Sequence, residues 1–322
     1  MSPAPVLVEL RRSGLVESVH TGHVVVLDES GSIHAALGDP GELIYPRSTV
    51  KPIQALAMLE AGLDVDGSWL ALAAASHSGE DFHVRAVRDM LAAAGLPESA
   101  LRCPPDLPSG DQARASYLAA GEVAAPIVMN CSGKHAAMLW TCSVNGWPLD
   151  GYLDPEHPLQ RRIHDRLGEL AGCEPGPAST DGCGAPLWGL PLSGLAQAFL
   201  RLPDSPAGRR VVDAVRAYPQ FTGGTTRDVT QLMRAAPGLL AKDGAEGVQA
   251  MLLDTPHGRF AVALKVSDGA DRARPVIAAA ILTSLGVDHP VVREQMSQPV
   301  LGGGSPVGSL GPSAALAGLI GG

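Results

Sequence analysis

The sequence predicts an α/β fold in which an antiparallel sheet is built from both chain ends and a helical region is inserted between them. Three observations predict it. Strand-like alternation concentrates near the two termini, apolar spacing of helical period fills the middle, and no internal repeat or low-complexity linker interrupts the 322 residues.

Near the start, residues 23–27 and 33–37 flank Glu29-Ser30-Gly31-Ser32 and read as a hairpin. Near the other end, residues 248–253 and 260–266 flank Thr255-Pro256-His257-Gly258, a second hairpin. In its second arm Phe260, Val262, Leu264 and Val266 share one face, and the period of two puts Lys265 on the other. Residues 53–63, 84–94, 159–171, 194–202 and 207–218 carry helical spacing, and 275–285 follow the second hairpin in the same way. Pro52 suits a first helical turn, where a missing N–H costs little. Asp154-Pro155 and Asp204-Ser205-Pro206 read as helix starts, with capping residues beside proline. Residues 1–322 then form a single unit, with sheet-forming parts at about 1–47 and 246–322 and a mostly helical region at about 48–245.

Composition excludes several classes of function. Apolar residues make up 45% of the chain, as in globular proteins, but aromatics only 4%, so the core must be built from Ala, Leu and Val. A net charge of −9 with no basic stripe argues against nucleic-acid binding; Arg161-Arg162 and Arg209-Arg210 are isolated pairs. The first ten residues lack a signal-peptide pattern, and no window is apolar over the length of a membrane span. Cys103, Cys131, Cys142, Cys173 and Cys183 are too sparse for a disulfide scaffold and read as reduced thiols. The expectation is a soluble, cytoplasmic protein with no membrane partner.

The chemistry-bearing residues fall in short blocks. In Tyr45-Pro46-Arg47-Ser48-Thr49-Val50-Lys51-Pro52, Ser48 and Lys51 are three apart at a helix start, so they are neighbours on one face. A serine hydroxyl needs a base to become nucleophilic, and a desolvated lysine can be that base. On spacing alone, a helix cap beside a solvated lysine is the commoner outcome. Ala75-Ser76-His77-Ser78-Gly79-Glu80 emerges from the apolar run 69–74, as a loop presenting hydroxyls would. Asn130-Cys131-Ser132-Gly133-Lys134-His135 and Asp181-Gly182-Cys183-Gly184-Ala185-Pro186 combine thiol, amine and carboxylate groups with glycines that let a backbone approach a ligand.

These blocks, "YPRSTVKP", "SHSGE", "NCSGKHAAML", "DGCGAP", "AKDGAEGV" and "LKVSDG", resemble in this order the motifs of rhizobial-type L-asparaginases, the class 3 or asparaginase II family. The resemblance runs from the first hairpin to Gly269; nothing is carried onto the tail after Gly286. It implies a fold similar to serine β-lactamases and glutaminases, and hydrolysis of L-asparagine to L-aspartate and ammonia by a single catalytic unit. Ser48 with Lys51 matches the family's first Ser–Lys pair, and Ser76 with Lys265 the second. Cys131, Lys134 and Cys183 match a zinc-binding trio, with Asp181 an acidic residue beside it. A homodimer is the family expectation.

The expected reaction is acyl transfer. Ser48, deprotonated by Lys51, attacks the carboxamide carbon, while Ser76 and Lys265 relay protons. Zinc would orient the substrate, since a serine nucleophile is already at hand. For a small zwitterion, Arg47 is the candidate anchor of the α-carboxylate, Asp181 of the α-ammonium, and His135 a hydrogen-bonding group in the site. Glu80 and His83 read as a salt bridge on a helix face. Glutaminase activity, or another serine amidohydrolase of this fold, is the near alternative, because one methylene is worth only about 1–3 kcal/mol of discrimination. A penicillin-recognising acyl-enzyme is disfavoured by the missing secretory signal and Ser-Asp-Asn block. A non-catalytic zinc-binding protein would leave Ser48, Lys51 and Lys265 unexplained.

Overall fold

The period-two segments do pair into one sheet. The computed structural model describes residues 4–320. Within them β1 (Val6–Arg12), β2 (Leu15–Leu27), β3 (Ile33–Leu37), β4 (Leu239–Gly244), β5 (Val248–Thr255), β6 (Gly258–Val266), β7 (Gln298–Gly302) and β8 (Ser305–Pro312) form an antiparallel eight-stranded sheet. The order is β7-β8-β1-β2-β6-β5-β4, with β3 also on β2. Every strand comes from one chain end or the other, so the expected α/β architecture is observed. In the register, Lys265 stands between His23 of β2 and Val248 of β5.

The chain divides into two compact units: Met1–Thr49, Leu190–Leu200 and Gln231–Gly322 in the first, Val50–Gly189 and Arg201–Thr230 in the second. In the first, the helix Ala273–Ser284 is buried over ten residues and packs on β1, β5, β6 and β8, because its Ala-rich surface lets the sheet approach. In the second, the helix Lys51–Glu60 is buried all round except at Glu60 and touches Ser132–Asn145, Pro158–Ala171 and Pro206–Ala217. A helix apolar on every side must lie inside a bundle. Lys51 and Gln54 are its buried polar exceptions.

One strand and one helix start differ from the sequence reading. β4 begins seven residues before 246, because its Lys242-Asp243 pair looks solvated in sequence yet is buried as an ion pair of 2.8 Å. The tail supplies two strands despite its Gly and Pro content. Glycine is needed there because a Cβ at Gly308 would lie 1.9 Å from the Arg11 carbonyl of the neighbouring strand. The helix expected at Asp154-Pro155 starts at Pro158, where the His157 ring accepts from Leu159 N–H; Asp154 closes the preceding turn by accepting from Glu156 N–H. Ser205 does cap the helix Pro206–Ala217, accepting from Gly208 N–H. Among the described residues no helix is long and apolar enough to cross a membrane.

Candidate active site

The helix Lys51–Glu60 carries its first residue into the interior. Lys51 is 1% exposed, and its Nζ lies 2.7 Å from Ala75 O, 2.8 Å from Ser76 Oγ and 2.9 Å from Cys131 Sγ. The Lys51 amine is thus placed to donate to the Ala75 carbonyl, the Ser76 hydroxyl oxygen and the Cys131 sulfur at once. Ser76 is itself fixed: its N–H donates to Thr222 O (2.9 Å), and that of His77 to Asn130 O (2.9 Å).

Next to this pair lies a buried thiol–amine cluster. Cys131 precedes the helix Ser132–Asn145, which brings Lys134 and His135 inward over its first turn. Gly133 permits this, because a Cβ there would meet Leu72 Cγ at 2.6 Å and Leu72 O at 2.7 Å. Cys183 sits in the Asp181–Ala185 turn, where Lys134 Nζ donates to its sulfur at 3.1 Å and Asp181 Oδ2 lies 3.8 Å away. A hydrogen bond from Cys131 holds the Cys183 thiol far below the usual thiol range, against the upward push of burial and with help from Lys134. The same bond, with burial, pushes Cys131 well above it. Burial pushes Lys134 down, but the sulfurs outweigh it and its proton is held more tightly. His135 Nδ1 is 2.6 Å from Tyr152 Oη, and the buried ring also hydrogen-bonds the Cys183 sulfur.

Arg47, Ser48 and Lys265 lie in the first unit. Arg47 and Ser48 sit in the 3-10 turn Arg47–Val50, closed by Thr49 N–H and Oγ1 on Pro46 O. Lys265 Nζ donates to Glu246 O (2.5 Å) and Val266 O (2.8 Å), and burial pushes its pKa down. Arg47 has φ 52° and Glu246 φ 60°, left-handed conformations that cost a non-glycine residue about 1–2 kcal/mol each. Glu246 was not singled out from sequence, although it lies within the "AKDGAEGV" block; nothing local marks it. The Glu80–His83 pair is not a salt bridge. His83 Nδ1 accepts from Glu80 N–H and its Nε2 donates to Gln220 O, while the Glu80 carboxylate accepts from Thr225 N–H (2.7 Å) and Oγ1 (2.6 Å).

The pattern of L-asparaginase II matches residues 8–312, nearly the whole chain. The chain belongs to the L-asparaginase II family. A comparison with curated proteins returns no match. Among solved structures, Mglu in its native form is 15% identical with a TM-score of 0.43, covering 80% of this chain and 62% of that one. This chain thus spans about three-fifths of the length of Mglu. A β-lactamase from Burkholderia vietnamiensis is 14% identical with a TM-score of 0.38, covering 78% of this chain and 86% of its own. A Bacillus glutaminase is 12% identical with a TM-score of 0.35, covering 77% and 83%.

The family's motif residues fall in both units. Lys51, Ser76, Cys131, Lys134, Asp181 and Cys183 belong to the second unit, and Arg47, Ser48 and Lys265 to the first. Sequence order alone gave no hint that the Lys51 amine would touch both Ser76 and Cys131, or that Tyr152 would hold the His135 ring.

Proposed function

We propose that the protein is an L-asparagine amidohydrolase working through a serine acyl-enzyme. The observation that carries this reading is the buried Lys51 amine at 2.8 Å from Ser76 Oγ. Lys51 takes the hydroxyl proton as the oxygen attacks the side-chain carboxamide carbon, forming the C–O bond. The amine then returns that proton to the leaving nitrogen, the C–N bond breaks, and ammonia departs. Water, deprotonated by the same amine, cleaves the ester to give L-aspartate and restores the serine. Ser76 is favoured as the acylated residue because a base must be within hydrogen-bond reach of the proton it removes. Ser48 is the second candidate, favoured by its place one helical turn before Lys51. Lys265 Nζ holds the Glu246 carbonyl.

The residues also fit a zinc ion. Two sulfurs and an amine suit zinc's preference for soft donors, and all three residues are at most 3% exposed. Cys131, Lys134 and Cys183 would hold it, and bound zinc would polarise an oxygen as a Lewis acid. Protein function in this reading is cytoplasmic and dimeric. Ammonia release from L-asparagine, with L-glutamine beside it, tests the proposal. The expected result is release that falls at least about a hundredfold in Ser76→Ala. A full loss in Ser48→Ala with Ser76→Ala active would transfer the acyl group to Ser48. No release from either amide would overturn the reading.

A further inference from the structure

Tyr152 lies outside the six motif blocks, yet it is fully buried in the second unit together with His135 and Cys183. Its hydroxyl has two partners among the described residues. The Arg102 N–H donates to Oη at 3.1 Å, and His135 Nδ1 lies 2.6 Å away. A backbone N–H can only donate, so the hydroxyl proton is left for Nδ1. The reverse arrangement, with Nδ1–H donating, would leave that proton buried without an acceptor among the described residues, which folded interiors avoid. Nδ1 therefore accepts, and the ring proton sits on the other nitrogen, Nε2. The hydrogen bond between this ring and the Cys183 sulfur is then an N–H donating to sulfur. Tyr152 is itself held, because Gln160 Nε2 donates to its carbonyl at 2.8 Å and its ring meets that of His135 edge-on at 5.7 Å.

Lys134 Nζ donates to the same sulfur at 3.1 Å, so two neighbouring residues in the first turn of the helix Ser132–Asn145 both point donors at Cys183. Groups that hydrogen-bond to a metal's ligands orient those ligands and tune their affinity. We propose that Tyr152 is a positioning residue whose hydroxyl sets His135 in the Nε2–H form, so that the imidazole steadies the Cys183 sulfur for a metal ion without becoming a ligand itself. This rests on the zinc reading of the thiol–amine cluster. A metal binds a nitrogen lone pair; the Nε2 pair is taken by the proton and the Nδ1 pair by the phenol. Cys131, Lys134 and Cys183 are then the three protein donors, and a fourth position stays open, as in catalytic zinc sites.

The test is zinc affinity, read by competition with a chromogenic chelator, in a double-mutant cycle of Tyr152→Phe and His135→Gln. Phenylalanine keeps the ring and removes the hydroxyl; glutamine keeps an N–H donor and has no tautomer to set. Tyr152→Phe should raise the zinc dissociation constant about tenfold to a hundredfold. In the His135→Gln background the same change should move it less than about twofold. Equal factors in the two backgrounds would mean that Tyr152 acts through packing alone and would overturn the proposal, as would an unchanged constant in Tyr152→Phe. Histidine nitrogen NMR of the metal-free wild type, with His135→Gln identifying the signal, reads the tautomer without any metal. The expected result is a protonated Nε2 and a bare Nδ1; the opposite tautomer would refute the assignment whatever the affinities. Wild type that binds no zinc while showing the expected tautomer would instead bring down the zinc reading, and the positioning role with it.

Discussion

Replacing Lys51 with methionine keeps the buried stem and removes the amine. The structure sets two opposing costs. The Ala75 carbonyl, Ser76 hydroxyl and Cys131 thiol each lose a partner at 2.7–2.9 Å, and a buried acceptor left unsatisfied costs about 1–3 kcal/mol. Against this, an amine 1% exposed no longer has to be desolvated, a relief of comparable size. The expected change in stability is therefore within about 2 kcal/mol of zero, and the urea midpoint reads it. Catalysis has no such compensation. Loss of a general base lowers the rate about 10²–10⁴-fold, equivalent to roughly 3–5 kcal/mol of barrier. Initial rates of ammonia release, measured on variant whose urea transition shows it folded, separate the two effects. A folded Lys51→Met variant within tenfold of wild type would refute the assignment of Lys51 as base.

Two further outcomes follow from other parts of the molecule. Burial holds His83 at about 4, below its usual 6.5, so between these values the unfolded chain binds more protons than the folded one. Its contribution, about 3 kcal/mol at most, is complete above pH 6.5 and lost as pH falls towards 4; urea midpoints of His83→Gln should fall less steeply on acidification, and parallel profiles would contradict this. Zinc-supplemented, dialysed protein should retain one metal ion per chain by elemental analysis and lose it in Cys183→Ser, with a lower melting temperature; wild type that retains none, or a variant that retains as much, would remove the metal from the thiol cluster.

The sequence by itself determined the strands with strict alternation and the helices with a full apolar stripe. Residues 260–266 show why: side chains of a strand alternate by covalent geometry, so burial on one face writes itself into the chain. The blocks around Ser48, Ser76, Cys131 and Cys183 were legible too, because glycine and small polar residues interrupt apolar runs there. The two strands of the tail were not, since close backbone contact at Gly308 demands a residue that reads as a strand breaker. Only tertiary structure decided who pairs with whom. Spacing offered Lys51 to Ser48, but packing of the helices brings residues 51, 76 and 131 to one buried point, where the amine meets Ser76 and Cys131. It also decided the left-handed conformation of Glu246, held by the hairpin and by Lys265 nineteen residues on. Local pattern encodes which face of an element is buried; the partners across a core depend on contacts between residues far apart in sequence, which no local period records.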